Sequence, residues 1–326
     1  MGRVMPSATS AVLGLAAELR EAGRPVISLG AGEPDFDTPD HIKAAEIQAI
    51  HDGETKYTAI DGTSHLKAAI QRKFERDNQL VYAPEQILVS VGAKHTLFNA
   101  CMAILGPGDE AIIPAPYWVS YPDMVRVADG TPVVIDTGIE DGFKVTPEKL
   151  AAAISDRTRL LFLNSPSNPT GSCYTKNELA ALGEVLLQHP NIVVLADDIY
   201  EHIHWADEPF CSLATACPDL YNQVVTINGV SKCYAMTGWR VGYAGGPPEV
   251  IKAMKTIQSQ ITSNPCSISQ VAAAAALDGD QACMAPMLKA YKARSDYVVQ
   301  ALNEIPGFEC REGEGAFYAF PRVSEA

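Results

Sequence analysis

Short apolar runs of strand length recur along this chain, and each gives way at its carboxyl end to glycine, proline, asparagine or aspartate. The runs are 87–91, 111–114, 160–163, 192–196 and 224–228, with a further one at 240–244. Helix-forming stretches lie between them, such as 96–104 after the first run and the stretch from 249 after the last. Strands with no polar face must be covered on both sides, and strands alternating with helices meet that need in a mostly parallel sheet. The expected fold class is therefore α/β. Open sheets of this kind collect ligands beyond the carboxyl ends of their strands, so the residues after each run come first in a search for chemistry.

Composition excludes several classes of function. The chain has 326 residues, 25 Lys plus Arg against 39 Asp plus Glu, and a formal net charge of −14. That balance repels nucleic acid and anionic membranes. The 8 cysteines are scattered without CxxC spacing, which suggests neither a zinc site nor a disulfide framework and fits a reducing cytoplasm. His202 and His204 alternate on a possible strand but have no third ligand in sequence, and His65 and His95 stand alone, so no metal is expected. The apolar run 11–17 is short and flows into Glu18-Leu19-Arg20, which reads as an amphipathic helix ending at Gly23 rather than a leader peptide. No stretch is long enough to span a membrane. A short strand is expected at 26–29, and the Gly30-Ala31-Gly32 after it is not a dinucleotide fingerprint, because Glu33-Pro34 breaks the required helix.

Chemistry concentrates at 229–242, which reads Gly-Val-Ser-Lys-Cys-Tyr-Ala-Met-Thr-Gly-Trp-Arg-Val-Gly. An amine whose pKa is lowered attacks carbonyls, and Gly229 and Ser231 leave room beside Lys232 for a ring. Arg240 stands where a returning loop can set a planar guanidinium on a phosphate. Gly92-Ala93-Lys94, between a strand and a helix, presents free N–H groups and a positive dipole end, a second phosphate element. Trp118, after the run at 111–114, can lie flat on an aromatic ring. Asn168 sits in a rigid loop with two X-Pro steps and can donate to a phenolate oxygen. Asp197 and Asp198 both follow the run at 192–196, and either carboxylate could hold a pyridine nitrogen protonated.

The stretch 229–242 closely resembles the pyridoxal-phosphate attachment signature of class I aminotransferases, and the match extends from Pro6 to Tyr318. The resemblance implies the fold-type I architecture: a large cofactor-binding domain at 39–287, an N-terminal arm and part of a small domain at 1–38, and the start of a small α/β domain at 288–326. It implies pyridoxal 5'-phosphate held as a Schiff base by Lys232, which then acts as general base and acid. Asp197 rather than Asp198 is assigned to the ring nitrogen and Tyr200 to the ring hydroxyl, while Ala93, Lys94, Ser231 and Arg240 hold the phosphate. Gly32 lets the backbone approach the bound amino acid, near Trp118 and Asn168, and Lys94 is expected to meet its distal carboxylate. Tyr57 matches a tyrosine that reaches the phosphate of the partner subunit, implying a homodimer with shared sites.

The likeness is greatest to bacterial aspartate aminotransferases, some of whose relatives also accept prephenate. The implied reaction moves an amino group from L-aspartate or a similar amino acid to 2-oxoglutarate by a ping-pong route. Two departures bear on substrate: Met5 stands where the family commonly has a lysine, and no residue after Tyr318 matches the family's carboxylate-binding arginine, Arg311 reading as a solvated charge. On that ground the sequence alone leads one to expect a truncated chain that binds cofactor and turns over poorly. Other chemistries of the same carbanion, a lyase or a decarboxylase, are the rival reading. A DNA-binding regulator is disfavoured by the acidic charge.

Overall fold

The computed structural model describes residue 4 and residues 8–323. The departure at Met5 thus lies outside the described residues. In chain order the elements are α1 (Ala8–Glu21), α2 (Asp40–His51), α3 (Ser64–Asn78), β1 (Ile87–Ser90), α4 (Ala93–Ile104), β2 (Glu110–Ala115), α5 (Tyr121–Val127) and β3 (Thr131–Asp136). Then follow α6 (Pro147–Ala153), β4 (Thr158–Asn164), α7 (Lys176–Leu186), β5 (Val193–Asp197), α8 (Leu213–Ala216), β6 (Val224–Gly229) and β7 (Gly242–Gly245). The remainder is α9 (Pro248–Ser259), α10 (Ser267–Asp278), α11 (Ala285–Asn303), β8 (Phe308–Glu309) and β9 (Arg322–Val323).

The apolar runs assemble into a seven-stranded sheet in the order β1-β7-β6-β5-β4-β2-β3. All its pairings are parallel except those of β7, which runs antiparallel to both β1 and β6. Both faces are covered, as the fully apolar runs require. On β4, Leu161 and Leu163 join one core cluster with Leu179 and Leu182 of α7, while Leu160 and Phe162 join a second with Leu97 of α4 and Met254 of α9. Alternation along one strand thus feeds two cores.

Register brings the chemistry to one edge. Asn164 pairs with Asp197 and Asp197 with Ile227, and Gly229 pairs with Gly242, which also pairs with Ser90. The carboxyl ends of β1, β4, β5 and β6 therefore align, and β7, being antiparallel, starts at that same edge.

Some expectations fail. Residues 26–29 form no strand: among the described residues nothing pairs with them, and Ile27 and Leu29 are 89% and 93% exposed. Their β-branched and apolar composition fits a strand, but a strand needs a partner. Near the C-terminal end of the described residues, Gly315 makes an isolated bridge to His204, and β8 pairs with β9. His202 lies in a turn, and His204 makes only that isolated bridge rather than a strand. Strand β3, at the sheet edge and largely unburied, carried no signal strong enough to be read. All eight cysteines are free thiols. Among the described residues no helix is long and apolar enough to cross a membrane.

Candidate active site

A cavity of about 450 Å³ opens at the aligned strand ends. Lys232 enters it from the link between β6 and β7. Its Nζ donates to the carbonyl of Gly32 and lies 5.8 Å from the ring centres of Tyr200 and Phe317. Burial, with the Arg240 guanidinium adding to it, pushes this amine down to about 8. Glu33 and Asp197 pull the other way and do not offset the loss of water.

The phosphate elements read from sequence come together on one wall. Gly92, with φ 84°, is the residue before α4, and a Cβ there would stand 2.5 Å from a guanidinium nitrogen of Arg240. Glycine at this position supplies both the left-handed backbone and the room for the arginine. Arg240 donates to the carbonyl of Thr237 at 2.8 Å, and Ala93, Lys94 and Ser231 line the cavity beside it. Ala93 and Lys94 open α4, and the first N–H groups of a helix have no carbonyl partner within it. Lys94 is held 5.0 Å from the centre of the Trp118 ring, and burial lowers its ammonium, with Arg240 again contributing.

Trp118 and Asn168 flank the opposite side. Asn164, which sequence reading passed over, ties that side together: its amide donates to the Asp197 carbonyl at 2.8 Å and its oxygen accepts from the Asn168 N–H at 2.7 Å. Asn168 is also within hydrogen-bonding reach of the Tyr200 hydroxyl, which shares a 2.5 Å hydrogen bond with Tyr318. Tyr318 comes from the C-terminal segment and packs against Gly32, where any Cβ would run into its hydroxyl. Nothing near Tyr318 in sequence announces that placement.

The two aspartates part ways. Asp197 lines the cavity, and its Oδ1 is buried without a hydrogen-bond partner among the described residues. Burial pushes its carboxyl up to about 6, against the opposing hydrogen bond from Tyr121. Asp198 is turned away, its N–H bonded to Ile227 and its carbonyl accepting from Asn228. Beneath it lies a buried ionic network. Lys73, 1% exposed, pairs with Glu201 and donates to Asn78 at 2.6 Å; Asn78 and Asn228 in turn donate to Glu201 at 2.7 and 2.9 Å. This network pins α3 to the turn that follows Asp197 and carries Tyr200. Asp77, Glu201 and His202 approach one another there, but Lys73 and Arg76 already balance the carboxylates, so the group is a structural ion cluster.

Tyr57 does not join the cavity; it is 93% exposed on the loop between α2 and α3. The remaining predicted residues converge, and comparison with known proteins decides what the arrangement is. A family model described as aminotransferase class I and II matches residues 24–326. The chain belongs to this aminotransferase family. Among its relatives, the aspartate/prephenate aminotransferase of Nitrosomonas europaea is 57% identical over 99% of this chain and 81% of that protein. The aspartate aminotransferase of Rhizobium meliloti strain 1021 is 55% identical over 94% of this chain and 74% of that protein. A crystal structure of the aspartate aminotransferase from Rhizobium meliloti matches with a TM-score of 0.95 at 52% identity, over 99% of this chain and 82% of that one. The Thermus thermophilus aspartate aminotransferase with maleate matches with a TM-score of 0.92 at 44% identity, over 97% and 82%.

As an aminotransferase of this family the chain uses pyridoxal phosphate, and its residues fit that group. A lowered amine would suit the cofactor's aldehyde, an unpartnered buried carboxylate oxygen a protonated ring nitrogen, and the glycine and arginine wall a phosphate. The fold is the α/β architecture of fold-type I aminotransferases.

Proposed function

We propose that this aminotransferase takes its amino group from aspartate or a similar acidic amino acid and passes it to 2-oxoglutarate. When bound, pyridoxal phosphate supplies an aldehyde for the amine and a protonated ring that draws electrons from the substrate Cα. Nζ of Lys232 removes the proton from that Cα and returns it to the cofactor side, which needs an amine that is neutral for much of its time. Asp197 holds the ring nitrogen through Oδ1. Tyr200 and Asn168 hold the ring hydroxyl, Trp118 covers one ring face, and Gly92, Ala93, Lys94, Ser231 and Arg240 hold the phosphate. The backbone at Gly32 and the side chain of Asn168 approach the substrate. The observation that carries the reading is the lowered Lys232 amine in one cavity with the unpartnered Asp197 oxygen.

Aspartate is favoured as donor by the names of the relatives and by Lys94, an ammonium at the cavity mouth beside Trp118. A charged hydrogen bond of that type is worth about 1.5–3 kcal/mol. Lys94→Met should therefore raise KM for aspartate by about ten-fold or more while leaving an uncharged amino acid nearly as it was. Equal losses on both donors would mean that Lys94 serves the cofactor alone.

The same reading takes the working unit as a homodimer in which Tyr57 reaches the partner's phosphate. Its support is the exposure of Tyr57 together with Ile27 and Leu29, apolar side chains that water disfavours. Residues 39–287, which contain the whole main sheet, form the cofactor-binding body, with 1–38 and 288–326 assigned to the smaller part that covers it. A cytoplasmic setting accords with the eight free thiols.

A further inference from the structure

Tyr121 stands in the first turn of α5 and belongs to none of the roles above. It is 2% exposed, and its hydroxyl donates to Oδ2 of Asp197 at 2.6 Å. The other carboxylate oxygen, Oδ1, is equally buried and has no partner among the described residues. The ring of Tyr121 is wedged between Trp118, perpendicular to it at 5.5 Å, and Phe162 at 4.6 Å, and its N–H donates to the carbonyl of Trp118 at 3.0 Å. One side chain therefore joins the residue that covers the cofactor face to the residue that meets the cofactor nitrogen.

We propose that Tyr121 is a positioning residue of the transamination reaction: by fixing Oδ2 of Asp197 it presents Oδ1 to the cofactor's ring nitrogen and keeps the shared proton on that nitrogen. The inference rests on the assignment of Asp197 to the ring nitrogen. Its chemistry follows from donor and acceptor rules. A carboxylate sharing a proton with a pyridine nitrogen keeps the proton on nitrogen only if it is the weaker base of the two. Each hydrogen bond donated to the carboxylate lowers its basicity. Burial works in the opposite direction at Asp197, and Tyr121 supplies the foremost opposing contact. The donor itself cannot be lost near neutrality, because burial and the adjacent carboxylate push the Tyr121 phenol well above its ordinary value. A short, charge-assisted hydrogen bond with both partners out of water is the strong kind. Its rigid seat between two rings also keeps Asp197 from rotating away as the cofactor ring tilts during turnover.

The test uses the holoenzyme reconstituted with pyridoxal phosphate carrying 15N in the ring, observed by NMR at neutral pH. Tyr121→Phe should move the ring-nitrogen resonance part of the way from its protonated towards its unprotonated position. Its kcat should fall about ten-fold or more, while KM for the amino donor stays within about two-fold. Asp197→Asn, measured alongside, should move the resonance the whole way. If Asp197→Asn moves it and Tyr121→Phe does not, the inference is overturned and the assignment of Asp197 stands, even if kcat falls. If neither moves it, that assignment itself is wrong and the inference falls with it. Should Tyr121→Phe fail to fold, 3-fluorotyrosine placed at 121 keeps the shape and donates more strongly. The resonance should then move further to the protonated side, and no movement overturns the proposal.

Discussion

Capture of an aldehyde by Lys232 can be predicted from its surroundings. At neutral pH a lysine of ordinary value 10.5 is neutral about once in three thousand molecules, whereas one pushed down to about 8 is neutral about once in ten. The reactive population therefore rises roughly three-hundred-fold. Apoprotein mixed with pyridoxal, which has no phosphate and so brings no new charge to Arg240, isolates this effect. The capture rate, followed by absorbance and fixed by borohydride reduction, should climb about ten-fold per pH unit and level off near pH 8. Peptide mapping should place the tag on Lys232, and Lys232→Arg should abolish it. Arg240→Gln removes the lesser of the two lowering causes, so its plateau should move to higher pH without reaching that of a free lysine. A rate still climbing at about pH 10, or a tag on Lys94, would refute the argument that burial activates Lys232.

The buried network under the site predicts a stability effect. Burial pushes the Glu201 carboxyl up, but Lys73, His202 and Asn78 outweigh it and hold it below its ordinary value. A carboxylate lowered in the folded state contributes stability above its unfolded pKa and loses it as pH falls through the folded value. Glu201→Gln, which strands Lys73, should cost about 3–5 kcal/mol at neutral pH by denaturant melting, and the gap to the parent should narrow as the solution is acidified. A gap that widens in acid would show that Glu201 is not held ionised. For Tyr57, a change to phenylalanine should weaken cofactor retention, and mixing that variant with Lys232→Ala protein should restore tight binding at one site per dimer. No recovery on mixing would argue that each site is built within one chain.

The cofactor wall was legible because it follows the chain closely: Gly92 to Lys94 adjoin one strand end, and Lys232 and Arg240 both fall between two others. Asn168 was legible for the same reason, and so was the pair Asp197 and Asp198, between which only the family resemblance chose. What escaped depends on contacts between distant segments. Tyr121 meets Asp197 from a neighbouring element, and Tyr318 meets Tyr200 from the far end of the sequence. Neither pairing leaves a local pattern, since a tyrosine after a strand reads equally well as core. Residues 26–29 misled for the converse reason. Their composition satisfies a strand, but composition does not report whether a neighbouring backbone is there to accept it.

Because β7 reverses direction between β1 and β6, Lys232, the proposed covalent anchor, and Arg240, the proposed phosphate anchor, both belong to the short link 230–241. That link is also stitched to the N-terminal segment, where the Thr38 hydroxyl donates to the Ala235 carbonyl at 2.5 Å. Loosening one loop would therefore remove both anchors together and leave the cofactor only its contacts with the remaining wall. A protease or a heat pulse that opens the link should leave apoprotein with its sheet intact, and saturating cofactor should protect that loop before any other part of the molecule.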